Sequence, residues 1–469
     1  MSSNINITKK DVIWNYVGQF FSLTSGLIVL PLILKMLSPD EVGMNYLMLT
    51  ISSIVILIDF GFGPQFGRNF SYVYSGAQEI VKEGVKQNGE GVINYHLLAV
   101  LLETAKKIYR IMSTVALILM LTFGTLYVYK VTAGFSNIEN SLLTWVIFSF
   151  STYFNVYFGY YTTLLKGSGL VAEASQAMIL SKTFYLLINI ILLYVGFGLL
   201  AVAIANTLSP FVQGLYCRMV YFTKELKDNI NININKEEIT RTFNAIWYNA
   251  KKLGVCNLGA YGINKMGMFL VGLYLPLSEV SSYGLLIQLA TILTSISSLL
   301  LTSYLPQISG YRVSGDKNKL ISLSSFAIVV FWILVIVGSL IIVIAGDNIL
   351  SFIGSKTVLP SATLCGVYLL ICALEANHSN FATLITTKNE VPFVKAGLIS
   401  GGLITLISFI VLQFTNWGLW AVVLTQGIVQ ISFNNWYWPQ WVLKDFNIGL
   451  FGFVSSGMKE FLCHIPHKK

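Results

Sequence analysis

The stretch ISLSSFAIVVFWILVIVGSLIIVIA, residues 321–345, contains no charged side chain. A transmembrane helix needs about 20 consecutive apolar residues, whereas a membrane-spanning strand needs only about 9–11. In lipid, only helices and closed barrels satisfy their own backbone hydrogen bonds. The run is far too long for a barrel strand, so it predicts a membrane-spanning helix and, with it, a helical membrane protein.

The composition extends this prediction to the whole chain. Of 469 residues, 55% are hydrophobic and 11% are charged, whereas a soluble protein carries about 25% charged residues. The formal net charge is +9, which in a membrane protein indicates basic cytoplasmic loops facing anionic lipid rather than a nucleic-acid partner. The five cysteines lack metal or redox spacing, and we interpret them as packing residues.

The apolar runs predict an all-α polytopic protein with about twelve spans. They lie near residues 11–36, 41–63, 108–130, 141–166, 175–195, 198–222, 248–274, 279–305, 321–345, 359–385, 394–414 and 416–440. With this count nearly all lysines and arginines fall on one side, and only Lys35, Lys130 and Lys356 fall on the other. Basic loops face the cytoplasm, so both termini are predicted there. In this sorting Lys182 belongs to the inner side and Lys265 lies at membrane depth.

A weak internal repeat predicts two lobes. The sequence IWNY at 13–16 is echoed by IWYN at 246–249, and Glu41-Val42 by Glu279-Val280, each pair opening a span. Six spans per half give both halves the same orientation, hence a parallel repeat whose halves usually enclose a central cavity. We expect an N-terminal lobe at 1–222, a flexible cytoplasmic linker at 223–247, a C-terminal lobe at 248–440 and a cytoplasmic interfacial tail at 441–469.

An amphipathic stretch at 92–108 sets leucines against Glu103, Lys106 and Lys107. It predicts a helix lying on the inner membrane surface, with a partner-docking helix as the alternative.

The sequence contains none of the motifs G-x-x-x-x-G-K-[ST], H-E-x-x-H or G-x-S-x-G. This argues against an ATP-driven pump and against an integral hydrolase. We therefore expect a transporter with no catalytic residues, no metal site and no cofactor. Its energy would come from an H⁺ or Na⁺ gradient, unless transport is facilitated.

The seventh span carries a polar face that ends in a cation. Lys265 lies well inside this span, where a charge costs about 2.5–3.5 kcal/mol on insertion scales and normally faces protein or a wet cavity. The glycines of the same span are equally explained by close helix packing. The first span has a similar polar face. The predicted substrate path consists of Asn15, Gln19, Arg68, Asn257, Tyr261, Asn264 and Lys265.

Titratable groups at membrane depth are candidates for coupling or gating. Glu375 and His378 lie one turn apart in the tenth span, where they would bind protons or a cation. A static ion pair between Glu375 and Lys265 is the alternative. Asp59 and Arg68 flank a glycine-rich segment after the second span, where they would form a gate or simply pair at the interface.

The residues from Trp14 to Asn69 resemble the opening of the bacterial Wzx-type O-antigen flippases of the MATE-like (MOP) superfamily. The resemblance rests on a polar first helix with Pro31, on the segment LSPDEVG at 37–43, and on Asp59-Phe60-Gly61. It implies a multi-pass protein of the bacterial inner membrane that takes part in lipopolysaccharide biosynthesis. The implied substrate is an oligosaccharide on undecaprenyl diphosphate, flipped to the outer leaflet by alternating access. Membrane lipid, a polysaccharide polymerase and a chain-length regulator are the implied partners.

Three alternatives remain. A cation-coupled multidrug exporter of the same superfamily would use acidic cavity residues such as Asp59 and Glu375. A lipid II flippase is disfavoured because such proteins usually carry several cavity arginines. A membrane glycosyltransferase or polysaccharide polymerase would meet the same lipid carrier, but polymerases usually have a large outer loop, and the longest one predicted here, near 346–358, is short.

Overall fold

The computed structural model describes residues 9–82, 92–230, 232–388 and 392–464. Within these ranges the regular structure is entirely helical, which confirms the predicted all-α fold. The chain divides into two compact units, Met1–Leu258 and Gly259–Lys469. The division falls 11 residues beyond the predicted start of the second lobe at 248.

The first unit contains the helices up to α9 and most of α10. They are α1 (Lys9–Met36), α2 (Pro39–Ile56), a 3₁₀ turn (Leu57–Asp59), α3 (Phe62–Tyr74), α4 (Tyr95–Leu119), a π-helical turn (Met120–Gly124), α5 (Thr125–Val131), α6 (Ser141–Gly167), α7 (Val171–Val195), α8 (Leu199–Tyr221), α9 (Lys224–Ile230) and α10 (Lys236–Asn264).

The second unit contains the end of α10 and the eight helices that follow. They are α11 (Met266–Tyr274), α12 (Leu277–Ser314), α13 (Lys317–Ile353), α14 (Ala362–Thr386), α15 (Val394–Phe414), α16 (Leu419–Ser432), α17 (Asn434–Phe446) and α18 (Leu450–His464).

Among the described residues, eight helices are long and apolar enough to cross a membrane. They match eight of the twelve predicted spans. The other four, at 141–166, 248–274, 359–385 and 416–440, are also largely helical, but they are less apolar or are broken into shorter helices. Large exposed side chains such as Phe352 (93% exposed) and Ile344 (73%) suit a surface covered by lipid rather than water.

The internal repeat is visible in the geometry of each unit. In the first unit, the Glu41 carboxylate accepts a hydrogen bond from the Leu199 N–H (3.1 Å) beside Gly198. In the second, the Glu279 carboxylate lies next to Gly418. Gly198 has φ +54° and ψ −139°, and Gly418 has φ +56° and ψ −133°, a conformation open essentially to glycine alone. The same device therefore joins equivalent helices in both units.

The prediction of a surface helix at 92–108 is wrong. These residues open α4, which continues through the π-helical turn into α5. Leu98, Leu101 and Leu102 are buried in a protein core with Phe66 and Phe70 of α3. The amphipathic pattern thus reflects packing of α4 against its own unit, because a protein core and an interfacial lipid layer demand the same apolar face.

The segment 223–247, predicted as a flexible linker, is largely helical. Asn235 caps α10, since its side chain accepts a hydrogen bond from the Glu237 N–H (3.3 Å), while the Glu238 carboxylate accepts one from the Asn235 N–H (3.0 Å). This reciprocal arrangement is a capping box. His96 bonds to Glu238 (2.8 Å) and Arg241 pairs with Glu79, so the start of α10 is held against its own unit.

The C-terminal helix α18 packs along α13. Phe453 is buried, and a Cβ on Gly457 would lie only 2.5 Å from the Ser325 carbonyl oxygen, so the two backbones touch. Phe451 on the other face is 90% exposed, and the interfacial role of this tail stays a prediction. Residues 1–8 and 465–469, parts of the predicted terminal segments, lie outside the described residues.

Candidate functional site: a polar cavity in the second unit

The second unit contains a cavity of about 510 Å³. Its walls come from the junction of α10 and α11, from α12, from α14 and from α16. Its polar lining residues are Asn264, Lys265, Thr291, Thr294, Ser295, Ser298, Tyr368, Glu375, Ser379, Asn380 and Gln426. Its volume falls within the range of small-ligand sites, about 300–1,000 Å³.

Lys265 lies at the break between α10 and α11, where its φ of −125° departs from helical geometry. The surrounding glycines pack helices together, as the packing interpretation predicts. A Cβ on Gly262 would lie 2.9 Å from Gly401 of α15, and one on Gly267 would lie 2.7 Å from Val422 of α16. Close contact with α15 and α16 fixes the segments on either side of Lys265, whose side chain is half-buried at the cavity wall.

Glu375 lines the same cavity from α14. Both of its carboxylate oxygens accept hydrogen bonds from the Gln426 amide, at 2.9 and 3.0 Å. In the described part of the chain no ion pair joins Glu375 to Lys265 within 4.0 Å. The alternative of a static Glu375–Lys265 pair is therefore wrong for this conformation, because an amide from α16 already occupies the carboxylate.

His378 belongs to a different environment. Its Nδ1 hydrogen-bonds to Asn435 of α17 at 2.8 Å, and it is absent from the cavity lining. Glu375 and His378 lie one turn apart on α14, yet they have different partners on different helices. Lys265, Asn264 and Glu375 line the same cavity, whereas His378 does not line it.

The last span also contains a polar ladder that was not among the predicted site residues, formed by Gln426, Gln430, Asn434 and Trp438. The Asn434 amide donates to Gln430 (2.8 Å) and to Ser400 of α15 (2.9 Å), and the Trp438 indole N–H donates to Asn434 (2.9 Å). The ladder crosses the break between α16 and α17 at Phe433. Its members recur every four residues, so the helical spacing used for the seventh span would have found it.

The remaining predicted site residues belong to the first unit or to the end of α10. Asn15 is half-buried and Gln19 exposed on α1. Asn257 is exposed and Tyr261 half-buried on α10. The two units are distinct bodies, so a single path through all predicted residues stays a prediction.

Asp59 and Arg68 do not pair. The Asp59 carboxylate accepts hydrogen bonds from the Gly63 N–H at 3.2 and 3.3 Å and from the Tyr109 hydroxyl. It therefore caps α3 after the turn at Phe60 and Gly61. Arg68 is exposed on α3, and in the described ranges it has no ion pair within 4.0 Å. The predicted pairing is therefore wrong, because the Asp59 carboxylate is hydrogen-bonded to the backbone at the start of α3 instead.

Lys182 is a second membrane-depth cation, and its assignment to the inner side is wrong. It lies 11 residues after Val171 and 13 residues before Val195 in α7. At 1.5 Å per residue, either end of the helix is at least about 16 Å away. The prediction placed Lys182 on the inner side although it lies seven residues inside the predicted span 175–195, whereas Lys265 was recognised as a cation at membrane depth.

Solved structures similar to this chain are transporters. A multidrug resistance MATE family transporter of the MOP superfamily, in an inward-facing conformation, matches with a TM-score of 0.61 and 12% identity, over 91% of this chain and 95% of its own. Lipid II flippase MurJ in an inward closed conformation matches with a TM-score of 0.61 and 14% identity, over 97% and 94%. A MATE protein in complex with MaD3S matches with a TM-score of 0.50 and 14% identity, over 94% and 100%.

No protein-family profile matches the sequence, and no curated protein does. At such low identities the structural likeness establishes the fold. The chain therefore has the fold of the MOP-superfamily transporters and is a multi-pass membrane protein. Drug exporters and a lipid II flippase share this fold, so the substrate has to be argued from the site.

Proposed function

We propose that this protein flips undecaprenyl-diphosphate-linked oligosaccharides, of the O-antigen or a similar surface polysaccharide, from the inner to the outer leaflet of a bacterial inner membrane. The transport would proceed by alternating access. The observation that carries the proposal is Lys265, a cation at membrane depth on the wall of a polar cavity, with no carboxylate paired to it in the described residues.

The cavity chemistry suits an oxygen-rich anion. Lys265 supplies one positive charge, and serine and threonine hydroxyls supply neutral partners. Asn380 lines the cavity as well, and its buried Nδ2 has no hydrogen-bond partner among the described residues. Buried polar groups are nearly always satisfied, so an orphan donor suggests a water or ligand oxygen. A diphosphate or sugar hydroxyls would provide that oxygen.

A cation-coupled multidrug exporter is the second candidate. The observation in its favour is Glu375, a carboxylate on the cavity wall that an organic cation would contact directly. Against it, the Gln426 amide already occupies both oxygens of Glu375, whereas Lys265 has no such partner. A drug cation would also meet Lys265 in the same cavity. Lys265 is thus the charged group of the cavity whose hydrogen-bonding capacity is unused among the described residues, which favours an anionic substrate.

The test uses cells from which the gene has been deleted. Surface polysaccharide and lipid-linked repeat units on the inner leaflet are measured together. We expect loss of surface glycan with accumulation of the lipid-linked precursor, and full complementation by the intact gene. Lys265→Ala should abolish complementation while the protein still inserts, and Lys265→Arg should restore part of it, since it keeps the charge.

Lys130→Ala is the matched control, because Lys130 is an exposed lysine on the predicted outer side. It should complement fully. A deletion strain with normal surface glycan but raised sensitivity to cationic drugs would contradict the flippase proposal and favour the multidrug exporter. A fully active Lys265→Ala protein would remove Lys265 from the substrate path.

A further inference from the structure

The first unit contains a membrane-depth cation that the cavity of the second unit does not explain. Lys182 is half-buried on α7. Its Nζ lies 5.9 Å from the centroid of the Tyr185 ring, and this cation–π contact is its one specific interaction among the described residues. Charged side chains at this depth face protein or a wet cavity and mark functional sites by default.

The face of α7 that carries Lys182 points away from lipid. Leu180, Leu187 and Ile191 are 45%, 55% and 55% exposed, and their spacing places them on one lipid-facing side. At about 100° per residue, Lys182 lies on the opposite side. The Lys182 ammonium is therefore directed into the interior of its unit.

Helix α1 runs beside this face. A Cβ on Gly18 would lie 3.0 Å from Ser175 and 3.1 Å from Met178, two residues that precede Lys182 on the same side of α7. Toward the N-terminal ends of both helices, the Asp11 carboxylate accepts a hydrogen bond from the Ala172 N–H (3.1 Å). The two helices thus run in the same direction, and the polar stripe of α1 continues past Gly18 toward the level of Lys182.

Neighbouring helices offer no carboxylate at this depth. The sequences of α1, α6, α7 and α8 contain only two acidic residues, Asp11 and Glu173. Both lie near helix N-termini, and Glu173 precedes Lys182 by nine residues, which is about 13 Å along the axis. A structural ion pair therefore does not account for Lys182.

We propose that Lys182 binds a carboxylate on the transported glycan, so that the substrate contains an acidic sugar such as a uronate. This rests on the proposed function. One lysine matches the single charge of a carboxylate, and the proposed function already gives the diphosphate a cation of its own at Lys265. The Tyr185 ring offers an aromatic face for the sugar, and the Asn189 amide, which bonds to the Tyr185 hydroxyl at 3.0 Å, fixes that residue.

The test is binding to purified protein in lipid nanodiscs. Two synthetic prenyl-diphosphate trisaccharides serve as probes, identical except that one carries glucuronate where the other carries glucose. The unchanged protein should bind the glucuronate probe about tenfold more tightly, the size expected of one charge-assisted contact. Lys182→Met should remove this preference while leaving the affinity for the glucose probe unchanged, and Lys182→Arg should retain most of it.

Lys166→Met is the matched control, since it removes the same charge from an exposed position at the end of α6, and it should keep the preference. Lys182→Gln serves as the second neutral variant if Lys182→Met does not fold. Equal weakening of both probes would assign Lys182 to the diphosphate and overturn the carboxylate proposal, as would a preference that survives in both neutral variants. Failure of the unchanged protein to bind either probe would instead overturn the proposed function.

Discussion

Glu375 is the residue at which a packing contact can be separated from a role in the proposed transport. Its carboxylate holds α14 against α16 through Gln426, and it also borders a cavity that faces Lys265. Replacement by glutamine keeps a hydrogen-bond acceptor for Gln426 and removes the charge. The two roles can therefore be separated by one substitution.

We predict that Glu375→Gln inserts normally and has a midpoint of thermal unfolding close to that of the unchanged protein. If Glu375 couples flipping to a cation gradient, its flipping rate in proteoliposomes should fall to the rate measured without any gradient. The measurement is lipid-linked oligosaccharide flipping under an imposed pH or Na⁺ gradient. Glu139→Gln, at an exposed loop position, is the control. If the flipping rate of Glu375→Gln still responds fully to the gradient, the coupling hypothesis is wrong.

Helical spacing identified Lys265 and Glu375 from the sequence, because an ionisable residue inside an apolar run is costly in lipid and therefore faces protein or a cavity. It did not identify their partners. Whether Glu375 meets Lys265 or Gln426 depends on how α14, α11 and α16 rotate against one another, and that rotation is fixed by glycine contacts between distant segments. His378 was grouped with Glu375 by spacing alone, and side-chain direction separated them.

At the scale of elements, glycines decide how closely helices pack. Gly401 of α15 faces α10 so tightly that a Cβ there would lie 2.6 Å from the Gly259 carbonyl oxygen, whereas Gly402 has nothing within 4 Å. We predict that Gly401→Ala destabilises the protein by about 1–3 kcal/mol, as overpacking does. Gly402→Ala, one residue away on the same helix, should leave stability unchanged or raise it by a few tenths of a kcal/mol through chain entropy.

The measurement for this pair is the midpoint of thermal unfolding in detergent, together with flipping activity. Equal midpoints for Gly401→Ala and Gly402→Ala would show that α10 and α15 can move apart without cost, contrary to their close glycine contact.

An ion cluster ties the ends of three segments in the second unit. Asp445 accepts hydrogen bonds from Arg312 (2.8 Å) and pairs with Lys388 (2.6 Å). Burial raises the pKa of Asp445, but the bonds from Lys388 and Arg312 outweigh it and hold the pKa below its ordinary value. A depressed pKa adds stability that is complete above the ordinary carboxylate pKa of about 3.9 and is lost as the pH falls through the folded-state value.

We therefore predict that the midpoint of thermal unfolding falls as the pH is lowered from 5 toward 3, and that Asp445→Asn weakens this dependence. At pH 7 the same variant should lose about 1–3 kcal/mol, because two cations are left without their carboxylate. Asp228→Asn, at an exposed position on α9, should behave like the unchanged protein. An Asp445→Asn protein with the same pH profile as its parent would contradict the role of the cluster.

The positions of the long apolar helices followed from the sequence, whereas their ends and connections did not. The segment predicted as a linker contains the capping residues Asn235 and Glu238, but it also contains Asn229, Asn231 and Asn233, and asparagines are typical of turns and coil. For residues 92–108, the amphipathic pattern correctly predicted a helix with one apolar face. The pattern did not show whether protein or lipid covers that face, because periodicity is the same in both cases.

At the scale of the whole molecule, the orientation in the membrane follows from the distribution of basic residues and stays a prediction. We predict that Ser136→Cys and Lys356→Cys react with an impermeant thiol reagent added to intact spheroplasts, and that Lys236→Cys reacts only after the membrane is opened. The exposed Cys463 is replaced beforehand so that it contributes no label. Labelling of Lys236→Cys in sealed cells would contradict the predicted orientation of the protein in the membrane.

The twelve spans also differ in how they can enter the membrane. Three of the four spans that are less apolar or broken into shorter helices, at 248–274, 359–385 and 416–440, provide walls of the cavity. Such a segment partitions poorly into lipid alone during synthesis. Helix α13, with a mean hydropathy of 3.2, precedes α14 and is joined to it by a hydrogen bond from Trp332 to Asn377 (2.9 Å). The order of synthesis thus supplies α14 with a partner, and the residues that build the cavity also make insertion a cooperative event between neighbouring helices.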